Sequence, residues 1–215
     1  MRKVAVIGVG LTKFGSLWDR SLVSLAVEAG INAVKDAGIK KEDVQALYGG
    51  TMSGGLFVNQ EHLAALLGDF SGFKNIPCTR VEAACASGGL ALRQAYMDIA
   101  SGMHDIVVAG GVEKMTDIGG STATKTLATA ASQEWESVQG ATFPAIFGMI
   151  ARLHMKKYGT TEKQMALCAV KNHKNAVHNP YAQFRREISV ESVLNSQNIA
   201  DPVKLFDCSP ISDGA

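Results

Sequence analysis

Short apolar runs alternate along this chain with longer segments of helical periodicity, and this alternation restricts the fold. Residues 44–51, 76–81 and 105–113 are such runs and predict buried strands. Residues 21–37 repeat apolar side chains at helical spacing, and Gly38 follows as a typical C-terminal stop. Because strands that alternate with helices favour a mostly parallel sheet covered on both faces, the sequence predicts an α/β fold.

The first apolar run, residues 4–10, predicts a further buried strand and contains Gly8 and Gly10. A glycine-rich turn after a first strand can bind a dinucleotide. Here the position of the third small residue is taken by Lys13, and no helix begins directly after the turn. A structural turn is therefore favoured over a nucleotide-binding loop.

Cys85 lies in a cluster of small residues between the predicted strand 76–81 and a predicted helix over residues 87–101. A thiol at the start of a helix has free backbone N–H groups and the positive end of the macrodipole beside it. Such a position lowers the pKa of a thiol and favours the nucleophilic thiolate. The alternative is a buried structural cysteine on a tight turn. Spacing alone leaves both interpretations open.

The second half of the chain has a different character. Residues 116–139 are rich in threonine, serine, alanine and glycine, and their poor periodicity indicates an excursion across the surface and not a second core. Residues 142–158 predict a helix, and Thr161 is an N-cap candidate for another. Residues 201–208 predict a strand that returns to the first sheet.

These segments predict two domains in a chain whose 215 residues are enough for one or two. We expect a core domain formed by residues 1–115 and 200–215. Residues 116–199 are expected to form an inserted, helix-rich loop domain.

The composition excludes several classes of function. A net charge of +1 gives no reason to expect nucleic acid or an anionic membrane surface as a partner. No apolar run is long enough for a membrane span, and the N-terminus lacks the pattern of a signal peptide. The four cysteines are too scattered for a zinc ribbon or a disulfide framework, so we predict free thiols in the cytoplasm and no metal site. They are Cys78, Cys85, Cys168 and Cys208.

The segment around Cys85, Ala-Cys-Ala-Ser-Gly, resembles the Cys-x-Ser nucleophile motif of the thiolase superfamily. In that family the cysteine also lies between a strand and the N-terminus of a buried helix. Residues 144–159 and 170–184 resemble the thiolase loop region, and residues 208–215 resemble the start of the Ser-Asp-Gly-Ala-Ala-Ala segment. The resemblance is closest to archaeal acetyl-CoA acetyltransferases and thiolases of the sterol-carrier-protein type.

The resemblance implies a layered αβα core, half of the five-layer αβαβα thiolase fold, with an inserted helical loop domain. Cys85 would form the acyl-enzyme in the Claisen condensation of two acetyl-CoA molecules to acetoacetyl-CoA, or in the reverse thiolysis. Its backbone N–H resembles one oxyanion donor. Coenzyme A thioesters would be substrates, and no cofactor is implied. Ile146 and Phe147 fall where biosynthetic thiolases have a His-Met pair that lines the acyl pocket.

The remaining thiolase machinery is not found in this sequence. None of the five histidines stands in a Gly-His-Pro motif, and neither Cys168 nor Cys208 begins a Cys-x-Gly motif. In the family both motifs belong to the second half of the protein. We therefore expect this chain to be an N-terminal half that is inactive by itself.

Two alternatives to a thiolase stay open at this stage. The nucleophile motif also resembles that of ketoacyl synthases, and the chain could be a non-catalytic thiolase-like scaffold subunit. The family resemblance further implies a cytoplasmic homodimer or dimer of dimers, with a biosynthetic role in lipid metabolism and the mevalonate pathway. Possible partners are 3-hydroxy-3-methylglutaryl-CoA synthase and a small OB-fold zinc protein.

Overall fold

The computed structural model of the chain describes residues 2–215; Met1 lies outside the described residues. The chain forms two compact units. The first runs to Gly119 and includes Ser212–Ala215, and the second is Gly120–Ile211. The predicted loop domain of residues 116–199 differs from the second unit mainly at its end, because residues 200–211 belong to this helical unit.

The first unit contains a small sheet and four α-helices. Its helices are α1 (Leu22–Asp36), α2 (Gly54–Val58), α3 (Leu63–Ser71) and α4 (Ser87–Ser101). Its strands are β1 (Ala46–Gly50), β2 (Cys78–Val81) and β3 (Val107–Gly111).

The second unit is mainly helical. Its helices are α5 (Gly120–Ala128), α6 (Phe143–Tyr158), α7 (Glu162–Ala176) and α8 (Val190–Leu194). Its strands are β4 (Asn198–Ala200) and β5 (Val203–Lys204), which pair antiparallel with each other.

The three strands of the first unit form a parallel sheet in the order β2-β1-β3. In this register Gly50 of β1 is opposite Val81 of β2 on one side and Gly111 of β3 on the other. The carboxyl ends of all three strands therefore meet at one edge, where open parallel sheets usually carry their functional residues. This arrangement confirms the predicted α/β class.

The core of the first unit lies between this sheet and helices α1 and α3. Leu25 of α1, Leu47 of β1 and Leu63 of α3 belong to one hydrophobic cluster and are nearly or fully buried. Each such leucine contributes about 1.5–3 kcal/mol relative to an exposed position. Helix α4 instead buries small side chains, Ala91 and Ala95, which let it pack close to the sheet.

Polar side chains cap the N-termini of helices α1 and α7. Ser21 accepts a hydrogen bond from the backbone N–H of Ser24 and begins α1. The Thr161 hydroxyl accepts the Gln164 N–H, and the Gln164 side chain accepts the Thr161 N–H in return. This capping box confirms the predicted start of α7.

The strand predicted over residues 4–10 is wrong for the described chain, since these residues form no strand. Val6 and Val9 are 71% and 69% exposed, so the segment is not buried either. The Val9 N–H donates to the Asp36 carboxylate at the end of α1 rather than to a strand. An apolar run forms a strand only where a neighbouring strand supplies hydrogen-bond partners for its backbone.

The prediction that residues 201–208 form a strand of the first sheet is also wrong. Val203–Lys204 pairs with Asn198–Ala200 inside the helical unit, and a single 3-10 turn follows at Leu205–Asp207. The backbone N–H of Leu205 donates to the carbonyl of Gln197, which closes this local hairpin. The backbone hydrogen bonds of this segment are thus made by residues close to it in sequence.

Three short helices were not predicted, namely α2, α5 and α8. Residues 54–58 and 120–128 are rich in glycine, threonine and alanine, which weaken the apolar periodicity that identifies a helix. Within residues 2–215, none of the helices combines the length and apolar content needed to cross a membrane.

Candidate active site

Cys85 follows strand β2 and lies in a single 3-10 turn, Ala84–Ala86, directly before helix α4. Its side chain belongs to an exposed residue. The interpretation of Cys85 as a buried structural cysteine is therefore wrong. Cys85 is therefore exposed directly before the N-terminus of a 15-residue helix.

The turn that carries Cys85 has an unusual backbone. Ala84 has φ of 48°, in the left-handed region that a residue with a β-carbon rarely adopts. The backbone N–H of Ala84 donates to the Glu82 carboxylate. The buried hydroxyl of Ser87 donates to the Ala84 carbonyl at 2.7 Å and accepts the Ala83 N–H at 3.0 Å. These hydrogen bonds hold the two residues that precede Cys85.

Glycines at the sheet edge let the start of α4 approach closely. A β-carbon at Gly50 would lie 2.5 Å from the Ser87 carbonyl oxygen, a distance that forces one of the two groups to move. A β-carbon at Gly111 would lie 3.3 Å from the Cα atom of Gly88. Glycine at positions 50 and 111 therefore allows the first turn of α4 to lie close to β1 and β3.

Glu113 lies two residues beyond β3 and joins the same edge. Its carboxylate accepts the Met52 N–H at 2.8 Å and the Thr51 hydroxyl at 3.1 Å. Burial raises the pKa of Glu113, and the hydrogen bonds from Met52 and Thr51 only partly oppose this effect. The Glu113 carboxyl group thus connects the loop after β1 to the loop after β3.

The sequence matches the family model described as thiolase, N-terminal domain, over residues 4–215. This chain belongs to the thiolase family. The match covers the Cys85 turn, α4 and both compact units, so the predicted resemblance is confirmed. The structure accordingly corresponds to half of a thiolase.

Individual relatives agree with this assignment. The chain is 57% identical over 215 residues to an acetyl-CoA acetyltransferase of Methanothermobacter thermautotrophicus and covers 56% of it. It is 34% identical over 225 residues to sterol carrier protein 2 of Homo sapiens, with 100% of this chain and 40% of that protein covered. The solved structure titled "Ltp2-ChsH2(DUF35) aldolase" has a TM-score of 0.77 at 30% identity, over 98% of this chain and 53% of that one. The chain spans about half the length of the curated relatives it matches.

The segment that resembles the thiolase Ser-Asp-Gly-Ala motif surrounds a fully buried ion pair. Asp213 and Lys114 are both 0% exposed, and their carboxylate and ammonium groups are 2.9 Å apart. Asp213 also accepts the backbone N–H groups of Leu17, Met115 and Thr116 and the Thr116 hydroxyl. One carboxylate thereby connects three segments that are distant in sequence.

Neighbouring charges decide the ionisation of this pair. Burial acts to raise the pKa of Asp213, but hydrogen bonds from Thr116, Lys114 and Leu17 outweigh it and lower the pKa. Burial acts to lower the pKa of Lys114, yet its hydrogen bonds to Asp117 and Asp213 leave that pKa raised. Both groups are therefore charged near neutral pH. Sequence reasoning missed this cluster.

The predicted acyl-pocket residues lie in the helical unit. Ile146 and Phe147 occupy the first half of α6, where Ile146 is partly buried and Phe147 is 59% exposed. The role of both residues in substrate binding stays a prediction.

The helical unit contains a cavity of about 530 Å³ next to α7. Its walls include the apolar side chains of Phe184 and Phe206 and the thiols of Cys168 and Cys208. Burial raises the pKa of the Cys208 thiol, with Asp207 adding to the effect, and burial alone raises that of Cys78. A raised pKa leaves less of each thiol in the reactive thiolate form.

Among residues 2–215, no group of three or more histidine, cysteine, aspartate or glutamate side chains is arranged to hold a metal ion.

Proposed function

We propose that this chain supplies the acyl-accepting half of an acetyl-CoA C-acetyltransferase, with Cys85 as its nucleophile. The observation that carries the proposal is the exposed Cys85 thiol at the N-terminus of α4, beside the carboxyl edge of a parallel sheet. Relatives named acetyl-CoA acetyltransferase, 57% and 53% identical, support acetyl-CoA as the substrate.

The chemistry begins with attack of the Cys85 thiolate on the thioester carbonyl carbon of acetyl-CoA. A new carbon–sulfur bond forms to Cys85, the bond to coenzyme A breaks, and the coenzyme A thiolate leaves with the electron pair and is protonated. A second acetyl-CoA that has lost its α-proton then attacks the acyl-enzyme. Acetoacetyl-CoA forms, and the Cys85 thiolate is released. Thiolysis runs the same steps in reverse.

Cys85, Ile146 and Phe147 are proposed to have distinct roles in this scheme. The Cys85 backbone N–H is proposed as one donor to the oxyanion that develops on the acyl group. Ile146 and Phe147 are proposed to line the acyl pocket, where two apolar side chains favour an uncharged acyl chain. Proton transfer requires groups other than Cys85, so the complete cycle is proposed for the full-length protein.

The finer biological assignments are also proposals. Acyl-CoA and free coenzyme A are the small-molecule partners, and no cofactor is required. We place the protein in the cytoplasm as a homodimer or dimer of dimers with a biosynthetic role in the mevalonate pathway. An OB-fold zinc protein and 3-hydroxy-3-methylglutaryl-CoA synthase are proposed as protein partners. A solved relative whose title names a DUF35 component supports the association of this fold with a second protein.

One observation favours a second candidate function. The structural relative with a TM-score of 0.77 is titled an aldolase, so carbon–carbon bond cleavage of an aldol substrate is an alternative to Claisen chemistry. Such a reaction needs no acyl group on a cysteine. Loss of acetoacetyl-CoA thiolysis in Cys85→Ala therefore favours the acetyltransferase. Full retention of aldol cleavage in the same variant favours the aldolase.

The proposal is tested by the thiolysis of acetoacetyl-CoA, catalysed by the longest form of the protein that the gene encodes. We expect Cys85→Ala to lower kcat by at least about a thousandfold, because the covalent step is lost. Cys168→Ala is the matched control, since Cys168 is also exposed but lies in the middle of α7. Equal activity of both variants would contradict the proposal.

A further inference from the structure

We propose that Ser87 is a positioning residue that holds the Cys85 thiol at the N-terminus of α4. The inference deepens the proposed function and rests on it, because it assigns a role that acts through Cys85. Ser87 is the first residue of α4 and is 4% exposed. Its hydroxyl is thus shielded from water, and its hydrogen bonds do not compete with solvent.

The Ser87 hydroxyl makes two hydrogen bonds that reach backward along the chain. It donates to the Ala84 carbonyl at 2.7 Å and accepts the Ala83 N–H at 3.0 Å. Ala83 and Ala84 are the two residues directly before Cys85. This side chain therefore adds two hydrogen bonds to the turn that leads into the thiol, beside those made by Glu82 and the backbone.

The conformation held by these bonds is one that alanine disfavours. Ala84 has φ of 48°, and its β-carbon approaches the backbone in that region. A residue in a sparsely populated conformation persists only where its surroundings hold it there. Without the hydroxyl, Ala84 loses one of the hydrogen bonds that hold it at positive φ, and a return to negative φ would redirect the Cys85 side chain.

The other end of the serine is fixed by the sheet. A β-carbon at Gly50 would lie 2.5 Å from the Ser87 carbonyl oxygen and 2.9 Å from the Gly88 nitrogen, so the start of α4 rests directly on the backbone of β1. The Ser87 backbone thus lies against β1, and its hydroxyl is buried. The sheet, the serine and the turn form one continuous support for the cysteine.

A purely structural serine at a helix end makes a similar hydrogen bond elsewhere in the same helix. The Ser101 hydroxyl donates to the Asp98 carbonyl at 2.8 Å, three residues earlier, as the Ser87 hydroxyl does to Ala84. Ser101 ends α4 whereas Ser87 begins it. Ser101→Ala is therefore a control that removes a hydrogen bond of the same spacing, from an exposed serine far from Cys85 along the helix.

The test measures the alkylation of individual thiols by iodoacetamide in the longest form of the protein that the gene encodes. Rate constants are obtained by peptide mass spectrometry, with the exposed Cys168 as an internal reference in the same sample. We expect Ser87→Ala to lower the rate constant at Cys85 by about tenfold, the effect of one lost buried hydrogen bond. Ser87→Thr keeps the hydroxyl and should restore most of the rate. Ser101→Ala should leave both thiols unchanged.

Each other outcome decides against the role. If Cys85 in Ser87→Ala reacts at the wild-type rate, the hydroxyl does not position the thiol. If Cys168 also changes and the near-UV circular dichroism is lost, Ser87 maintains the fold as a whole and is no positioning residue. If Ser87→Thr reacts as slowly as Ser87→Ala while its spectrum stays native, the hydroxyl is not the responsible group.

Failure of the proposed function is separated by using acetyl-CoA in place of iodoacetamide. Alkylation that depends on Ser87, with no acetylation of Cys85, would contradict the acetyltransferase and leave the positioning role intact. Acetylation of Cys85 at equal rates in wild type and Ser87→Ala would contradict the positioning role and support the acetyltransferase.

Discussion

The Cys85 turn and the cluster around Asp213 both follow strands of the same parallel sheet, yet they are built in opposite ways. Cys85 is exposed, and the residues before it are held by the Ser87 hydroxyl, the Glu82 carboxylate and local backbone hydrogen bonds. Asp213 is fully buried and accepts hydrogen bonds from backbone and side-chain groups of three segments. The turn leaves Cys85 exposed, whereas in the Asp213 cluster the buried carboxylate of Asp213 is paired with the buried ammonium group of Lys114.

This difference separates two uses of polar residues. A buried ion pair contributes to stability only when its hydrogen bonds are complete, and removing one member leaves an uncompensated charge. An exposed thiol at a helix start contributes little to stability but has the surroundings of a nucleophile. Changes in the Asp213 cluster should therefore act mainly on unfolding, and changes in the Cys85 turn mainly on thiol chemistry.

The largest effect is expected for Asp213→Asn, which leaves the buried Lys114 ammonium without its buried partner. We expect the free energy of unfolding to fall by about 3–5 kcal/mol in urea titrations. The matched control is Asp117→Asn, because Asp117 binds the same ammonium group but is 42% exposed. That control should lose less than about 1 kcal/mol. Equal losses in both variants would contradict the distinction between buried and exposed partners.

A smaller effect is expected for Gly50→Ala, which places a β-carbon 2.5 Å from the Ser87 carbonyl oxygen. The free energy of unfolding should fall by about 1–3 kcal/mol, as for other overpacked sites, and the alkylation rate of Cys85 should change as well. Gly49→Ala is the control on the same strand, since its β-carbon would contact nothing nearer than a Leu67 side-chain atom at 3.5 Å. A loss in Gly49→Ala equal to that in Gly50→Ala would argue against the close approach of α4.

The smallest effect concerns pH and has opposite signs for two carboxyl groups. The pKa of Glu113 is raised, so its contribution to stability is present below its unfolded pKa and is lost as pH rises through the folded pKa. The pKa of Asp213 is lowered, so its contribution is present above its unfolded pKa and is lost as pH falls through the folded pKa. Urea unfolding between pH 3 and 8 should show that Glu113→Gln flattens the first trend and Asp213→Asn the second. If one of these pKa directions were reversed, both carboxyl groups would change the free energy of unfolding with pH in the same sense.

The sequence predicts much of the site but little of its support. Helix α4 was located over residues 87–101, and the structure assigns the same bounds, because apolar spacing and the small-residue turn are local signals. The Asp213 cluster was not predicted, since its bonds join residues 97 to 196 positions apart and leave no periodic pattern. Ser87 was visible only as part of a motif. Its two hydrogen bonds depend on the left-handed conformation of Ala84, which composition does not reveal.

The exposed run at residues 4–10 shows the limit of pattern reading. Alternating Val, Ile and Gly residues identify a segment able to form a strand, but a strand also needs a neighbour that offers free backbone groups. Here the Val9 N–H bonds to Asp36 instead. Local patterns therefore predict the tendency of a segment, and the tertiary partners decide its final structure.

The most direct test of the account is to capture the acyl-enzyme. The longest form of the protein that the gene encodes is incubated with acetyl-CoA, quenched in acid and digested, and its cysteine peptides are analysed by mass spectrometry. The account predicts an acetyl group on the peptide that contains Cys85, none on that of Cys168, and no acetylated peptide in Cys85→Ala. Acetylation of Cys168 at the same level, or an unmodified Cys85 in a protein that still converts acetyl-CoA, would contradict it.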